Sequence, residues 1–367
     1  MNSEISLNCD DYIKSDKKGF SGAMDVVVVK WADGQLAGSP FFVQFGKFKI
    51  YSTERKLVDI VINGRRTNVK MELNANGVCK FLRNAKDRTL TVSPLKAQED
   101  KEDEEAIQNK IEEEKIGATH KRRNSGDQIL DDLSDASFSE VQGENVLNYD
   151  ELRDLQLKDG INIVHYVVHG SKHVLAGKIY LWNYDAKIVI TDIDGTLTKS
   201  DLIGILSNYF GIDWTRGGVV YFYNLLLNRG YKIMFLSARS LAQLESTRDY
   251  LAGIKQDGSY LPDGPLLLNP SGLWKSLINE VSKKSKIFKE NILREILNLF
   301  PPGLFPFYSG IGNREGDAIA YKQIGISPEY IFIINKKGKE KGEFVSIKNF
   351  KDRAMRIDLI FPDLNIT

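Results

Sequence analysis

The stretch that decides the fold is residues 187–196, which read KIVITDIDGT. An unbroken apolar, β-branched run is typical of a strand buried on both faces inside a parallel sheet. The run ends on two aspartates, Asp192 and Asp194, which point to the same side because alternate residues of a strand share a face. Gly195 then lets the chain turn sharply, so that backbone N–H groups can surround an electrophile at the strand end. The plainer interpretation is an acidic turn between a strand and a helix.

Strands and helices alternate after this point. The patterns predict strands at 232–237, 306–311 and 330–335. They predict helices at 202–209, 219–229, 241–251, 285–300 and 315–324. Repeated strand–helix units predict an α/β fold with a doubly wound parallel sheet and its site at the carboxyl ends of the strands.

The first part of the chain reads differently. Residues 24–82 hold short β-branched runs separated by glycines, which is typical of a small all-β unit. Residues 92–145 are charged and poor in apolar residues, and we expect a disordered linker there. Two later strands, near 162–168 and 177–182, have no partner in the parallel sheet. We therefore predict that they pair with the first unit in one immunoglobulin-like β-sandwich, since about sixty residues can barely bury a core alone.

The predicted organisation has five parts. These are an N-terminal segment with a weak membrane-binding helix (1–19), an N-terminal β-domain (20–91), the linker (92–145), strands that complete the sandwich (146–186) and a catalytic domain (187–367).

Composition excludes several classes of protein. The 367 residues carry 50 Lys and Arg against 49 Asp and Glu, so binding of nucleic acid through bulk positive charge is not expected. Two cysteines do not make a disulfide scaffold or a zinc module, which favours a cytosolic or nuclear protein. No apolar run reaches the length of a membrane-spanning helix, and the N-terminus lacks the apolar core of a signal peptide.

Three further elements follow Asp192 and Asp194 in chain order. Ser237 ends the next apolar strand and is followed by Ala238 and Arg239; a helix cap would be the plainer role for the hydroxyl. Lys289 lies early in a predicted helix, where lysines usually face solvent. Residues 312–317, GNREGD, supply oxygen-rich side chains, Asn313 and Asp317, of the kind that Mg²⁺ prefers. This order of motifs resembles the haloacid dehalogenase-like phosphohydrolases.

The resemblance extends to one family, the lipins, which are Mg²⁺-dependent phosphatidate phosphatases. Five segments look like the lipin catalytic domain: 192–201, 230–239, 247–251, 261–270 and 306–317. Three others look like the lipin N-terminal domain: 21–25 (SGAMD), 39–47 (SPFFVQFGK) and 57–64 (LVDIVING). Together they cover about residues 20–85 and 145–362.

The resemblance implies covalent phosphoryl transfer. Asp192 would attack phosphorus, Asp194 would serve as general acid and then base, and Ser237 would bind phosphoryl oxygens. Lys289 would neutralise charge, although Lys283, Lys284 and Lys286 are alternatives because the sequence around them departs from the family. The implied Mg²⁺ ligands are Asp192, Asp194, Asn313 and Asp317. The implied substrate-binding residues are Gly195, Thr196, Ala238 and Arg239.

The implied partner is a phosphatidate-bearing membrane, bound peripherally and reversibly on the endoplasmic reticulum or nuclear membrane, with a nuclear location also open. Trp214, Tyr221 and Trp274 are candidates for lipid contact. Residues 202–206 (LIGIL) match a co-regulator motif, through which a transcription factor would bind, but a buried helix face is favoured. Ser125 follows two arginines, as in a kinase site. The alternative functions are phosphatase activity on a soluble or protein phosphate, and a non-catalytic co-regulator or scaffold.

Overall fold

The computed structural model describes residues 13–14, 21–45, 56–74, 76–83, 145–171, 173–198, 215–270, 281–334, 344–347, 349–354 and 357–366. Residues 1–81 and 146–367 belong to one compact unit. The predicted linker, the 202–206 motif, Ser125, Trp214 and Trp274 lie outside the described residues.

In the described residues, ten strands come before the parallel sheet. They are β1 (Ile13–Lys14), β2 (Ser21–Ala23), β3 (Val26–Lys30), β4 (Leu36–Gly38), β5 (Val43–Phe45), β6 (Lys56–Ile62), β7 (Arg65–Leu73), β8 (Cys79–Phe81), β9 (Gly160–Val168) and β10 (His173–Asn183). Eight of them form one sheet in the order β4-β3-β10-β9-β6-β7-β8, with β1 beside β10, and β2 pairs with β5 in a separate ribbon. A short helix, α1 (Tyr149–Asp154), comes before β9.

The predicted pairing of early and late strands is confirmed. Ile179–Asn183 of β10 run parallel to Val26–Lys30 of β3. Val58–Ile62 of β6 run antiparallel to Val164–Val168 of β9. The late strands β10 and β9 therefore lie side by side between the early strands β3 and β6, so the two sets cannot separate without breaking the sheet. The exact domain bounds given above stay a prediction.

The second sheet is the doubly wound one. It contains β11 (Ile188–Asp192), β12 (Lys232–Ser240), β15 (Leu266–Asn269), β16 (Phe307–Gly312), β17 (Ile331–Ile334) and β18 (Val345–Ile347), while β13 (Lys255–Gln256) and β14 (Ser259–Tyr260) form a small hairpin. The order β15-β12-β11-β16-β17-β18 places β11 inside the sheet. All five pairings along that order are parallel. The predicted α/β fold class is confirmed.

Six helices accompany the parallel sheet in the described part of the chain. They are α2 (Val219–Asn228), α3 (Leu244–Gly253), α4 (Val281–Asn298), α5 (Glu315–Gln323), α6 (Phe350–Ala354) and α7 (Ile357–Ile360). The helix predicted at 241–251 instead opens with a short 3₁₀ turn, Leu241–Gln243. Strands β15 and β18 and the β13–β14 hairpin were not predicted, because each is too short to show a period.

The run Asp25–Lys30 explains how the two sheets are joined. Val26 and Val28 pack in the core of the first sheet, and Val27 and Val29 pack in the core of the parallel sheet. A strand buried on both faces reads as a continuous apolar run, as here. The indole of Trp31, just beyond β3, donates a 2.8 Å hydrogen bond to the carbonyl of Leu299, after α4. The β-unit thus packs directly against the parallel sheet and the end of α4.

Candidate active site

Asp192 ends β11 and is buried, with 5% of its surface exposed. Its Oδ2 accepts a 3.0 Å hydrogen bond from the hydroxyl of Thr196. The chain reaches Thr196 through Gly195, whose φ of +79° is a left-handed conformation that favours glycine. The sharp turn predicted at this glycine is present, and it folds Thr196 back onto the strand end.

Lys289, on α4, lies between two carboxylates. Its Nζ is 2.6 Å from Asp192 Oδ1 and 2.6 Å from Asp317 Oδ1. All three side chains are at least nine-tenths buried, with 4% of Lys289, 7% of Asp192 and 5% of Asp317 exposed. The structure therefore brings Lys289 into the site; the side chains of Lys283, Lys284 and Lys286 are outside the described part of the chain.

Asp194 is hydrogen-bonded to two side chains near the end of β12, those of Arg239 and Ser237. Arg239 donates to both of its carboxylate oxygens, from Nη2 at 2.7 Å and from Nε at 3.0 Å, which is a bidentate pair. The hydroxyl of Ser237 donates to Asp194 Oδ2 at 3.1 Å. The pairing of β12 with β15 shifts register between Ser237 and Ser240, so Arg239 lies in the irregular part of the strand. Ala238 lies exposed between the two.

Asp317 organises the loop that follows β16. Its Oδ2 accepts from the backbone N–H groups of Asn313 and Arg314, at 3.2 and 3.0 Å. A Cβ atom at Gly312 would lie 2.6 Å from the Asp317 Cβ, so only glycine fits there. Both Asp317 oxygens are occupied, one by Lys289 and the other by the loop.

Burial sets the charge state of the central pair. Burial raises the pKa of Asp192, although the Lys289 ammonium lowers it, and the Asp317 carboxylate adds to the rise. For Lys289 burial favours the neutral amine, but Asp192 and Asp317 outweigh it and raise the pKa of Lys289 above its ordinary value. Lys289 is therefore a fixed cation in this site.

A divalent cation fits the residues present. The Oδ1 atom of Asn313 is buried and has no hydrogen-bond partner among the described residues, which leaves an amide oxygen free for a metal. With all three carboxyl groups ionised, Asp192, Asp194 and Asp317 against the cations Lys289 and Arg239 leave one net negative charge. Among the described residues, no group of three or more His, Cys, Asp or Glu side chains is arranged so that it could hold a metal ion by itself. A site built from Asp192, Asn313 and the Asp194 carbonyl does not require one.

Three supporting contacts were not predicted from the sequence. The hydroxyl of Tyr223, on α2, donates to Thr191 Oγ1 at 2.6 Å, directly beside Asp192. Arg216 donates to the carbonyl of Gly195 from Nη2 at 2.6 Å and from Nε at 3.1 Å. Thr247 Oγ1, on α3, accepts from Arg239 Nη1 at 2.9 Å. Tyr223 and Arg216 belong to none of the sequence motifs described above, and Thr247, although it begins the segment 247–251, was assigned no role in the site. Their contacts with the site therefore become visible only in the folded structure.

The sheet order, with an aspartate pair at the end of an inner strand, defines a haloacid dehalogenase-like protein. A family model described as LNS2 (Lipin/Ned1/Smp2) matches residues 144–362, and a second, described as the lipin N-terminal conserved region, matches residues 7–99. The first match covers more than half of the chain, so the chain belongs to the lipin family.

Curated relatives agree with this assignment. Nuclear elongation and deformation protein 1 of Schizosaccharomyces pombe is 37% identical over 254 residues, which are 67% of this chain and 39% of that protein. A phosphatidate phosphatase of Arabidopsis thaliana is 42% identical over 60% of this chain and 25% of its own length. A human phosphatidate phosphatase is 40% identical over 59% of this chain and 25% of its own length. The aligned region thus spans a quarter to two fifths of these relatives.

Among solved structures, a phosphoserine phosphohydrolase-like protein from Francisella tularensis aligns with 47% of this chain and 99% of its own. Its sequence identity is 16% and its TM-score is 0.31.

Proposed function

We propose that this protein hydrolyses phosphatidate to diacylglycerol and phosphate at a membrane surface, through an aspartyl-phosphate intermediate. The observation that carries the proposal is the buried Asp192, held by Thr196 and Lys289 beside the Asp194–Arg239 pair. The names of the relatives supply the lipid substrate. We place the protein in the cytoplasm, peripherally on the endoplasmic reticulum or nuclear membrane.

In the first step a carboxylate oxygen of Asp192 attacks phosphorus, and the bond from phosphorus to the glyceryl oxygen breaks. Asp194 gives the leaving alkoxide the proton that it took from water in the preceding turnover, and the alkoxide departs as diacylglycerol. Arg239 releases Asp194 for this transfer by turning its guanidinium to the phosphoryl oxygens. Ser237 and the backbone N–H of Ala238, at the irregular end of β12, bind the same oxygens.

In the second step the Asp194 carboxylate takes a proton from water, and the water oxygen attacks phosphorus. The bond from phosphorus to Asp192 breaks, which frees phosphate and restores the carboxylate. Thr196 and Lys289 hold Asp192 in place throughout, and Lys289 balances charge between Asp192 and the phosphoryl group. Gly195 allows the sharp turn of the loop that receives the phosphoryl group.

We assign Mg²⁺ as the cofactor, held by Asp192, the Asp194 carbonyl and Asn313 Oδ1, with Asp317 supporting the Asn313 loop. When bound, it would neutralise charge that develops on the phosphoryl oxygens. The predicted transcription-factor contact at 202–206 and the kinase site at Ser125 stay predictions.

The experiment is phosphate release from phosphatidate vesicles with Mg²⁺ and then with EDTA. The variants are Asp192→Asn, Asp194→Asn and Asn313→Ala, and Asp159→Asn in the β-unit is the control. We expect Mg²⁺-dependent release that Asp192→Asn and Asp194→Asn abolish, that Asn313→Ala shifts to higher Mg²⁺ concentration and that Asp159→Asn leaves intact. Asp192-dependent cleavage of a soluble phosphate ester with silence on vesicles would instead support a phosphatase of soluble or protein phosphates.

A further inference from the structure

The β13–β14 hairpin is the feature from which a further inference follows. Lys255 pairs with Tyr260 and Gln256 with Ser259 across two antiparallel strands. Asp257 and Gly258 form the tip with φ values of +50° and +84°. An Asp-Gly pair with both φ angles positive is a tight type I′ hairpin turn, which presents its flanking side chains rigidly.

The hairpin is linked through Arg216 to the loop that carries Asp194. Gln256 Nε2 donates to the carbonyl of Arg216 at 2.9 Å, and the guanidinium of Arg216 in turn donates to the carbonyl of Gly195. Gln256 Oε1 accepts from the N–H of Val220, in the first turn of α2, at 3.4 Å. The hairpin thus lies beside the site, one side chain removed from the Asp192–Thr196 loop.

Two tyrosines are exposed where the hairpin meets α2. Tyr221 is 58% exposed and Tyr260 is 57% exposed. Asn224, one helical turn beyond Tyr221, donates to the carbonyl of Tyr260 at 2.9 Å, so the backbone of Tyr260 lies against the face of α2 that carries Tyr221. The ammonium of Lys255 lies 4.9 Å from the ring centroid of Tyr260. We name Tyr221, Lys255 and Tyr260 the aromatic rim.

This combination matches the interface of a bilayer. Tyrosine rings are apolar with a polar tip and settle at the depth of lipid headgroups, and lysine extends its ammonium toward lipid phosphates. A soluble substrate would not need two large rings in water beside the site. The partner that fits is a phospholipid surface that carries anionic headgroups.

We infer that the aromatic rim docks the protein on the bilayer and brings the site over a phosphatidate headgroup. This inference rests on the proposed function. Asp257 opposes the charge of Lys255 at the hairpin tip, so docking depends mainly on insertion of the rings. It follows that removing the Asp257 charge strengthens binding to anionic vesicles, because Asn accepts the same positive φ.

The test measures sedimentation with phosphatidylcholine vesicles that contain phosphatidate. It uses an Asp192→Asn background, so that the lipid is not consumed. The double variant Tyr221→Ser, Tyr260→Ser should bind roughly tenfold more weakly. Tyr149→Ser is the matched control, since Tyr149 is 42% exposed on α1 and carries Arg153 5.6 Å from its ring, and it should bind like the parent. Asp257→Asn should bind more tightly to these vesicles and equally to pure phosphatidylcholine.

Turnover of soluble p-nitrophenyl phosphate, in the active background, separates docking from damage. The double variant should keep the parental rate. Unchanged vesicle binding by the double variant overturns the inference, and so does a parallel loss of soluble turnover, which would make the rim a structural support of the loop. Parental protein that cleaves the soluble ester but never phosphatidate would overturn the proposed substrate, whereas vesicle binding reports on the rim independently of turnover.

Discussion

Lys289 Nζ lies 2.6 Å from Asp192 Oδ1 in a site where less than a tenth of either side chain is exposed. The same ammonium contacts Asp317. The buried Lys289 ammonium thus pairs with two buried carboxylates. Through these pairs it links α4 to the end of β11 and to the start of α5. The pair is therefore part of the fold as well as of the proposed chemistry.

Replacing Lys289 with Met should lower kcat/KM for phosphatidate by at least about 100-fold, since the phosphoryl charge loses its fixed cation. It should also destabilise the protein by about 3 kcal/mol, because two buried carboxylates lose their partner. Kinetics should therefore be measured well below the Tm, with folding checked by circular dichroism. Lys286→Met is the control, and full activity of Lys289→Met with loss in Lys286→Met would move the role to the earlier lysine.

Thr247 should act as a positioning residue for Arg239. Its hydroxyl is fully buried, accepts from Arg239 Nη1 and donates to the carbonyl of Gln243 at 2.7 Å. Thr247→Val should lower kcat/KM about tenfold, because Arg239 loses the partner that holds its guanidinium where it can turn to the phosphoryl oxygens. Thr247→Ser should restore the rate.

The neighbouring Ser246 supplies the control for Thr247. It donates to the same Gln243 carbonyl at 3.0 Å but is exposed. Ser246→Ala should leave kcat/KM unchanged. A fall in Tm for Thr247→Val with no change in kcat/KM would show that Thr247 has only a structural role.

Those site residues that directly follow a predicted strand were identified from the sequence. Asp192, Ser237 and Asn313 each follow an apolar run, and parallel topology is enough to gather them at one edge. Lys289 was assigned to the site only because its motif resembles that of the family. Its contacts with the carboxylates of Asp192 and Asp317 could be seen only in the folded structure. Arg216 and Thr247 were missed because their roles depend on where a loop and a helix pack, which no local pattern encodes.

Strand β15 shows the same limit at the level of the fold. Its apolar run LLLN is too short to distinguish a strand from a turn. A tertiary contact positions this strand. The backbone N–H of Leu266 donates a 2.9 Å hydrogen bond to Oδ2 of Asp25, a residue more than two hundred positions earlier in the chain. The run DVVVVK was read as a strand, but its burial on both faces became visible only with the second sheet in place.

Asp25 and Arg248 should stabilise the junction of the two sheets. Arg248 Nη2 lies 2.9 Å from Asp25 Oδ1, and Asp25 is 2% exposed. Arg248→Met should lower the free energy of unfolding by about 3 kcal/mol, since a buried carboxylate loses its cation. Denaturant titration measures it. Glu245→Gln, which removes the exposed partner of the same arginine, should change stability by less than about 0.5 kcal/mol, and equal effects would contradict a special role for Asp25.

A fragment of residues 146–367 should neither fold stably nor hydrolyse phosphatidate. Without the first 145 residues, β10 loses β3 and β9 loses β6, which exposes two strand edges and the apolar face that Val27 and Val29 cover. Soluble expression and near-ultraviolet circular dichroism measure folding. Adding residues 1–91 as a separate chain should restore activity in part, whereas a stable and fully active fragment alone would contradict this view of the junction.

Glu295, on α4, should make stability fall as pH rises. Its Oε1 is buried with no hydrogen-bond partner among the described residues, and burial raises its pKa from 4.5 to about 8. The folded protein therefore keeps a proton that the unfolded chain releases above pH 4.5, so unfolding becomes easier between about pH 4.5 and pH 8. Glu295→Gln should gain on the order of 2 kcal/mol at pH 8 and almost nothing at pH 4.

Thermal unfolding across this pH range measures the effect. Glu290→Gln is the matched control, because Glu290 lies on the same helix and is already paired with Arg294 at 2.8 Å. The difference in Tm between Glu295→Gln and the parent should grow with pH, and the difference for Glu290→Gln should not. A gain for Glu295→Gln that is the same at both ends of the range would mean that its carboxyl titrates normally, with the benefit coming from packing alone.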